Sequence, residues 1–254
     1  MRRTSIAAAV ACIFAISAAL HAAPAAEGKA KGVSPSDFFV DPASVDLQRY
    51  LAPPPAQDSA QTQKEFAEIR HLQETRTPER EKIAQDDQVE TVFAVVRDGL
   101  GPRFTAQDLP VTAVFFQQLL AVEGKVVDPA KDAWSRKRPA IIDSTIKPCV
   151  KPSTSGSYPS GHTTVAYMTA LVLSDILPEH RAEIFEGASR FAESRIVCGV
   201  HYRSDIEASK TAAAVIIMQA RANPAFQKGF AESKAEMRRV LETGKLAERV
   251  PGGH

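Results

Sequence analysis

His162-Thr163-Thr164-Val165-Ala166-Tyr167-Met168-Thr169-Ala170-Leu171-Val172-Leu173-Ser174-Asp175-Ile176-Leu177 repeats its apolar residues at helical spacing until Pro178 stops it. The same period returns over roughly 180–196, 203–221 and 224–243, with Asn223-Pro224 marking one break. Upstream, a polar helical pattern covers about 59–75. Thr77-Pro78-Glu79-Arg80-Glu81 combines a capping residue, a first-turn proline and early acids. It predicts a helix running to about Arg97, ended by Gly99 and Gly101-Pro102. Another begins near Thr105 or Leu109 and carries Val114, Phe115, Phe116, Leu119, Leu120 and Val122 to the core. Alternating runs and hairpin dipeptides are nearly absent. The expectation is an all-α, single-domain helical bundle, its helical domain covering residues 59–254.

Residues 131–158 break the helical pattern. Pro139, Pro148, Pro152, Gly156 and several Ser and Thr make this stretch mostly loop by expectation. A loop that long in a compact domain is usually functional. Residues 26–58, with Pro42, Pro53, Pro54 and Pro55, read as an extended N-terminal arm that wraps the domain or moves. Residues 1–25 read as a secretory signal peptide, and hence an exported chain. Met1-Arg2-Arg3 is basic, Ile6 to Leu20 is apolar, and His21-Ala22-Ala23-Pro24-Ala25-Ala26 offers small residues for cleavage. The apolar run is short for a spanning helix, which needs about 20 residues. No later segment is long and apolar enough to enter a bilayer stably.

A net charge of +1 argues against a nucleic-acid polymer as partner. Beyond the leader two cysteines remain, Cys149 and Cys198. An even count in an exported chain most simply forms one disulfide, with two buried thiols as the alternative. Neither cysteine lies in a CxxC or has a histidine at ligand spacing, so no metal site is expected.

Three clusters carry the chemistry: Lys131-x6-Arg138-Pro139, Pro159-Ser160-Gly161-His162, and Ser194-Arg195-x5-His201-x3-Asp205. A transferring phosphoryl group keeps its charge through an in-line transition state, so permanent cations around its oxygens can supply most of the stabilisation. Lys131, Arg138 and Arg195 fit that role, while Arg136 and Lys137 read as solvated surface cations. Ser160-Gly161 opens a helix, whose first N–H groups form an anion site. His201 and Asp205 are four apart and share a helix face. The carboxylate fixes one ring nitrogen and leaves the other as nucleophile. His21, His71, His180 and His254 lie in the leader, on polar helix surfaces and at the last position.

These clusters resemble the signature of the type 2 phosphatidic acid phosphatase superfamily. Gly156-Ser157-Tyr158-Pro159-Ser160-Gly161-His162-Thr163 and Gly199-Val200-His201-Tyr202-x-Ser204-Asp205 are similar, more narrowly, to bacterial class A non-specific acid phosphatases. The resemblance implies that His201 attacks phosphorus and forms a phosphohistidine, oriented by Asp205. It implies that His162 protonates the leaving alkoxide and then activates water. Lys131, Arg138, Ser160, Gly161 and Arg195 would hold the phosphoryl oxygens. It also implies an all-helical fold, no cofactor or catalytic metal, frequent homodimers, and broad action on small phosphomonoesters with some phosphotransfer. Tyr158 is a candidate substrate contact. Asp205 and a bound phosphate are expected to raise the His201 pKa from about 6.5. The alternatives are a vanadium-dependent haloperoxidase, a peripheral lipid-phosphate phosphatase, and a non-catalytic periplasmic phosphate-binding protein.

Overall fold

The computed structural model describes residue 34, residues 38–97 and residues 99–243, with side chains through residue 240; the expected signal peptide lies outside them. Among the described residues there is no strand. The helices are α1 (Ala60–Thr75), α2 (Pro78–Asp86), α3 (Val92–Val96), α4 (Pro110–Leu120) and α5 (Glu123–Trp134). They continue with α6 (Pro139–Ile142), α7 (Gly161–Ile176), α8 (Arg181–Val197), α9 (Arg203–Arg221) and α10 (Pro224–Thr243). The all-α expectation holds.

α7 is the central helix because it is apolar nearly all round, and such a helix can be satisfied only inside. Val165, Ala166, Met168, Ala170, Val172, Leu173 and Ile176 are all buried. α8 and α9 pack along it, and α3, α4 and α5 also touch it. α10 covers α4, where Phe115 and Phe226 meet at 5.4 Å. The arm wraps the bundle from residue 38 onward, since Phe39, Val40, Val45, Leu47 and Leu51 join the main core.

Two expectations change. The helix expected over 77–97 breaks after Asp86 and restarts at Val92, capped by Thr91. The cause is Asp87, a fully buried carboxylate. Arg190 holds it at 2.7 and 2.9 Å, Arg97 at 3.0 Å and the Ser194 hydroxyl at 2.6 Å. A buried charge needs such partners, and reaching them costs the helix its continuity. The stretch 131–158 is also less loop-like than expected. Lys131 lies in the last turn of α5, which tolerates Pro129 in its interior, and Pro139 starts the short α6.

Candidate active site

Cys149 and Cys198 are joined in a disulfide, with their Cα atoms 4.7 Å apart. The Cys149 N–H also donates to the Cys198 carbonyl at 3.2 Å. The loop ahead of α7 is thereby tied to the end of α8. α8 ends in a Schellman motif: Gly199 N–H donates to Ile196 and Val200 N–H to Arg195, with Gly199 at φ +66°. This left-handed turn, natural for glycine, swings the chain back and delivers His201 to the mouth of α9.

His201 is buried, and its Nδ1 lies 3.1 Å from Asp205 Oδ2. Asp205 stands in the first turn of α9, where Oδ2 also accepts the Tyr202 N–H at 2.9 Å. With Nδ1–H donating to the carboxylate, Nε2 keeps its lone pair, and it faces Arg138 Nη1 at 3.1 Å. The Arg138 guanidinium is itself held by the carbonyls of Val200 at 2.9 Å, Ser155 at 3.1 Å and Gly156 at 3.3 Å. Burial, then the charges of Arg138, Lys131, His162 and Arg195, push the His201 pKa well below its ordinary value. Burial and the cations outweigh the raising effect expected of the Asp205 carboxylate. Burial raises the Asp205 carboxyl to about 6, against the pull of Arg136 and the Tyr202 N–H.

A cavity of about 680 Å³ opens beside these groups, walled by Lys131, Arg138, Gly161, His162, Arg195 and His201. Six predicted residues from five segments thus converge. Ser160 and Asp205 do not form part of its wall. The Ser160 oxygen caps α7 by accepting the Thr163 N–H at 3.3 Å, and the Ser160 N–H donates to Ser209 at 2.8 Å. Lys131 Nζ is 3.0 Å from Asp128, itself on the cavity wall. Arg195 donates to the Ala84 carbonyl at 2.7 Å, and burial lowers its pKa to about 10. Arg195 Nε, His162 Nε2 and Glu123 Oε1 are buried without a hydrogen-bond partner, and their residues all line this cavity. Buried polar atoms are usually satisfied, so three orphans around one space point to a polar ligand.

Sequence reasoning misplaced two residues here and missed two more. Arg136 is not a surface cation. It is buried, it bonds Asp205 at 2.6 Å, Ser204 at 2.7 Å and Glu65 at 2.9 Å, and it lies 3.9 Å over the Tyr202 ring. Tyr158 is not on the cavity wall. Its hydroxyl donates to the Ala52 carbonyl at 2.7 Å and its ring packs edge-on to Trp134 at 5.0 Å. Glu90 and Glu123 were unanticipated. Glu90 Oε1 lies 3.0 Å from His162 Nδ1. Burial raises the Glu123 carboxyl to about 7, a shift that Lys131 opposes and that Glu90 and Asp128 reinforce. Neither glutamate stands in a motif, so no local signal could have found them.

Residues 111–224 match the family described as PAP2 superfamily. The chain is 32% identical over 202 residues to a non-specific acid phosphatase of Salmonella typhimurium, covering 76% of this chain and 81% of the relative. It is 28% identical to an acid phosphatase of Zymomonas mobilis, covering 89% of each. Among solved structures, a bacterial vanadium-dependent iodoperoxidase shares the fold with a TM-score of 0.54. Its identity is 21%, over 70% of this chain and 53% of that one.

Proposed function

This chain belongs to the PAP2 superfamily and is an acid phosphatase, and from that premise we propose that it hydrolyses a broad range of soluble phosphomonoesters through a phosphohistidine on His201. One observation carries the reading. His201 is buried with Nδ1 on Asp205 and Nε2 facing Arg138 at the cavity that His162 lines.

In the first step Nε2 of His201 bonds phosphorus as the bond from phosphorus to the leaving oxygen breaks. His162 Nε2–H gives its proton to that oxygen, releasing an alcohol. In the second step water attacks phosphorus, the P–N bond breaks, and His162 Nε2 takes the water proton. An alcohol in place of water gives the phosphotransfer side reaction. Lys131, Arg138, Arg195 and the amides that begin at Gly161 hold the phosphoryl oxygens, with Ser160 fixing that helix start. The depressed proton affinity of His201 favours this assignment, since a nucleophile must be unprotonated. No metal or other cofactor enters either step.

The same reading includes export to the periplasm by the N-terminal leader, in keeping with the disulfide, and a homodimer by family resemblance. Among the described residues no helix is long and apolar enough to cross a membrane. The test compares p-nitrophenyl phosphate turnover by the native protein and His201→Ala, with acid-labile phosphoenzyme trapped in the first. Equal rates for the two proteins refute the mechanism.

A further inference from the structure

We propose that Glu90 is a positioning residue for His162: its carboxylate fixes the ring so that Nε2 alone exchanges protons with the leaving group and with water. The inference rests on the reading that His162 is the general acid, and it goes beyond the motif, since Glu90 lies 72 positions upstream of that histidine.

The geometry carries it. Glu90 Oε1 lies 3.0 Å from His162 Nδ1. The Phe191 ring stacks on the imidazole, with centroids 6.1 Å apart and planes at 23°. Phe191 therefore sets the plane of the ring, and Glu90 sets its rotation within that plane. What remains is Nε2, buried and without a partner in residues that line the cavity. With Nδ1–H committed to Glu90, the neutral ring has a lone pair at Nε2, and the cation has a proton there. Both half-reactions then use one atom.

Charge matters as well as direction. His162 shares the cavity with Glu123, Asp128 and Lys131 on α5, Arg138 ahead of α6, Lys151 in the loop, Arg195 on α8 and His201 ahead of α9. Of the carboxylates in that set and Glu90, it is Glu90 that lies in direct contact with the imidazole. Burial works against the charge of Glu90. The His162 hydrogen bond and the charges of His162, Lys131 and Arg195 outweigh it and keep Glu90 below the ordinary carboxylate range. The side chains are 28% and 37% exposed, so the charge effect is modest in scale.

The experiment measures kcat/KM against pH for methyl phosphate, a poor leaving group, and p-nitrophenyl phosphate, a good one. It uses the native protein, Glu90→Gln and Glu90→Ala. Glutamine can still accept from Nδ1 but has no charge; alanine does neither. For methyl phosphate, Glu90→Gln should move the alkaline limb to lower pH. Glu90→Ala should add a further loss of about tenfold across the profile. With p-nitrophenyl phosphate, which leaves without help from an acid, both variants should stay within about twofold of native. Superimposable profiles, or equal losses on the two substrates, overturn the proposal. A native protein that hydrolyses neither ester defeats the phosphatase reading itself.

Discussion

Arg136 Nη1 donates to Asp205 Oδ1 at 2.6 Å, on the side of the carboxylate opposite the oxygen that orients His201. Asp205 therefore has both oxygens committed, one to a cation and one to the imidazole and the Tyr202 N–H. Arg136 in turn bonds Glu65 at 2.9 Å, and Glu65 Oε1 accepts the Ser204 N–H at 2.8 Å. The position of His201 is set through α1 as well as through α9.

Arg136→Met should be among the most damaging changes in the chain. It strands two buried carboxylates, and breaking a buried pair from one side costs about 3–5 kcal/mol. The urea midpoint should fall accordingly. Replacing Arg136, Glu65 and Asp205 together by apolar residues should recover much of the stability and none of the activity. A single Arg136 variant as stable as native would remove the account of this network.

Asp205→Asn should weaken the fold, since Arg136 keeps only Glu65 as a charged partner, and should lose the rate. An amide that donates to Nδ1 reverses the tautomer and puts the proton on Nε2, where attack has to occur. Single-turnover phosphorylation should slow by about 10²-fold or more. Burst kinetics would detect this, and an unchanged burst would show that the tautomer is not set by Asp205.

Glu123 gives a pH dependence of binding. Its carboxyl titrates at about 7, raised by burial, and it lines the cavity. Below that value it is neutral; above it, a negative charge joins Glu90 and Asp128 beside the phosphate. KM should therefore rise with pH through about 7 in the native protein, and rise less in Glu123→Gln. Parallel KM profiles for the two proteins would contradict it.

The disulfide closes a loop with a sequence separation of 49. Chain entropy alone gives about 4 kcal/mol for a loop of that length. The Cys149→Ser, Cys198→Ser protein should unfold at lower urea. It should also lose activity before it loses helical circular dichroism, because Val150, next to Cys149, and Val200, two residues after Cys198, line the cavity. Loss of both signals in one transition would argue that the bridge braces the whole bundle and not the site.

What the chain determined by itself was the helical fold, the disulfide pair, and the convergence of Lys131, Arg138, Gly161, His162, Arg195 and His201. Helix period, caps and breaks are local, acting between residues one to four apart, and α1, α7 and α9 lie within a residue or two of where those signals put them. The motif clusters were legible because phosphate chemistry needs particular side chains at fixed intervals. Only the tertiary structure decided which charges are buried and whom they meet. Arg136 reads like any solvated arginine until Glu65, 71 positions away, and Asp205, 69 positions away, close on it. Asp87 reads as a helix residue until Arg190 and Ser194 on α8 claim it and break the helix. The low proton affinity of His201 was out of reach for the same reason. A sequence shows the adjacent carboxylate four residues on, but not the burial or the cations folded around the ring, and these dominate because charge interactions depend on distance and solvent and not on position along the chain.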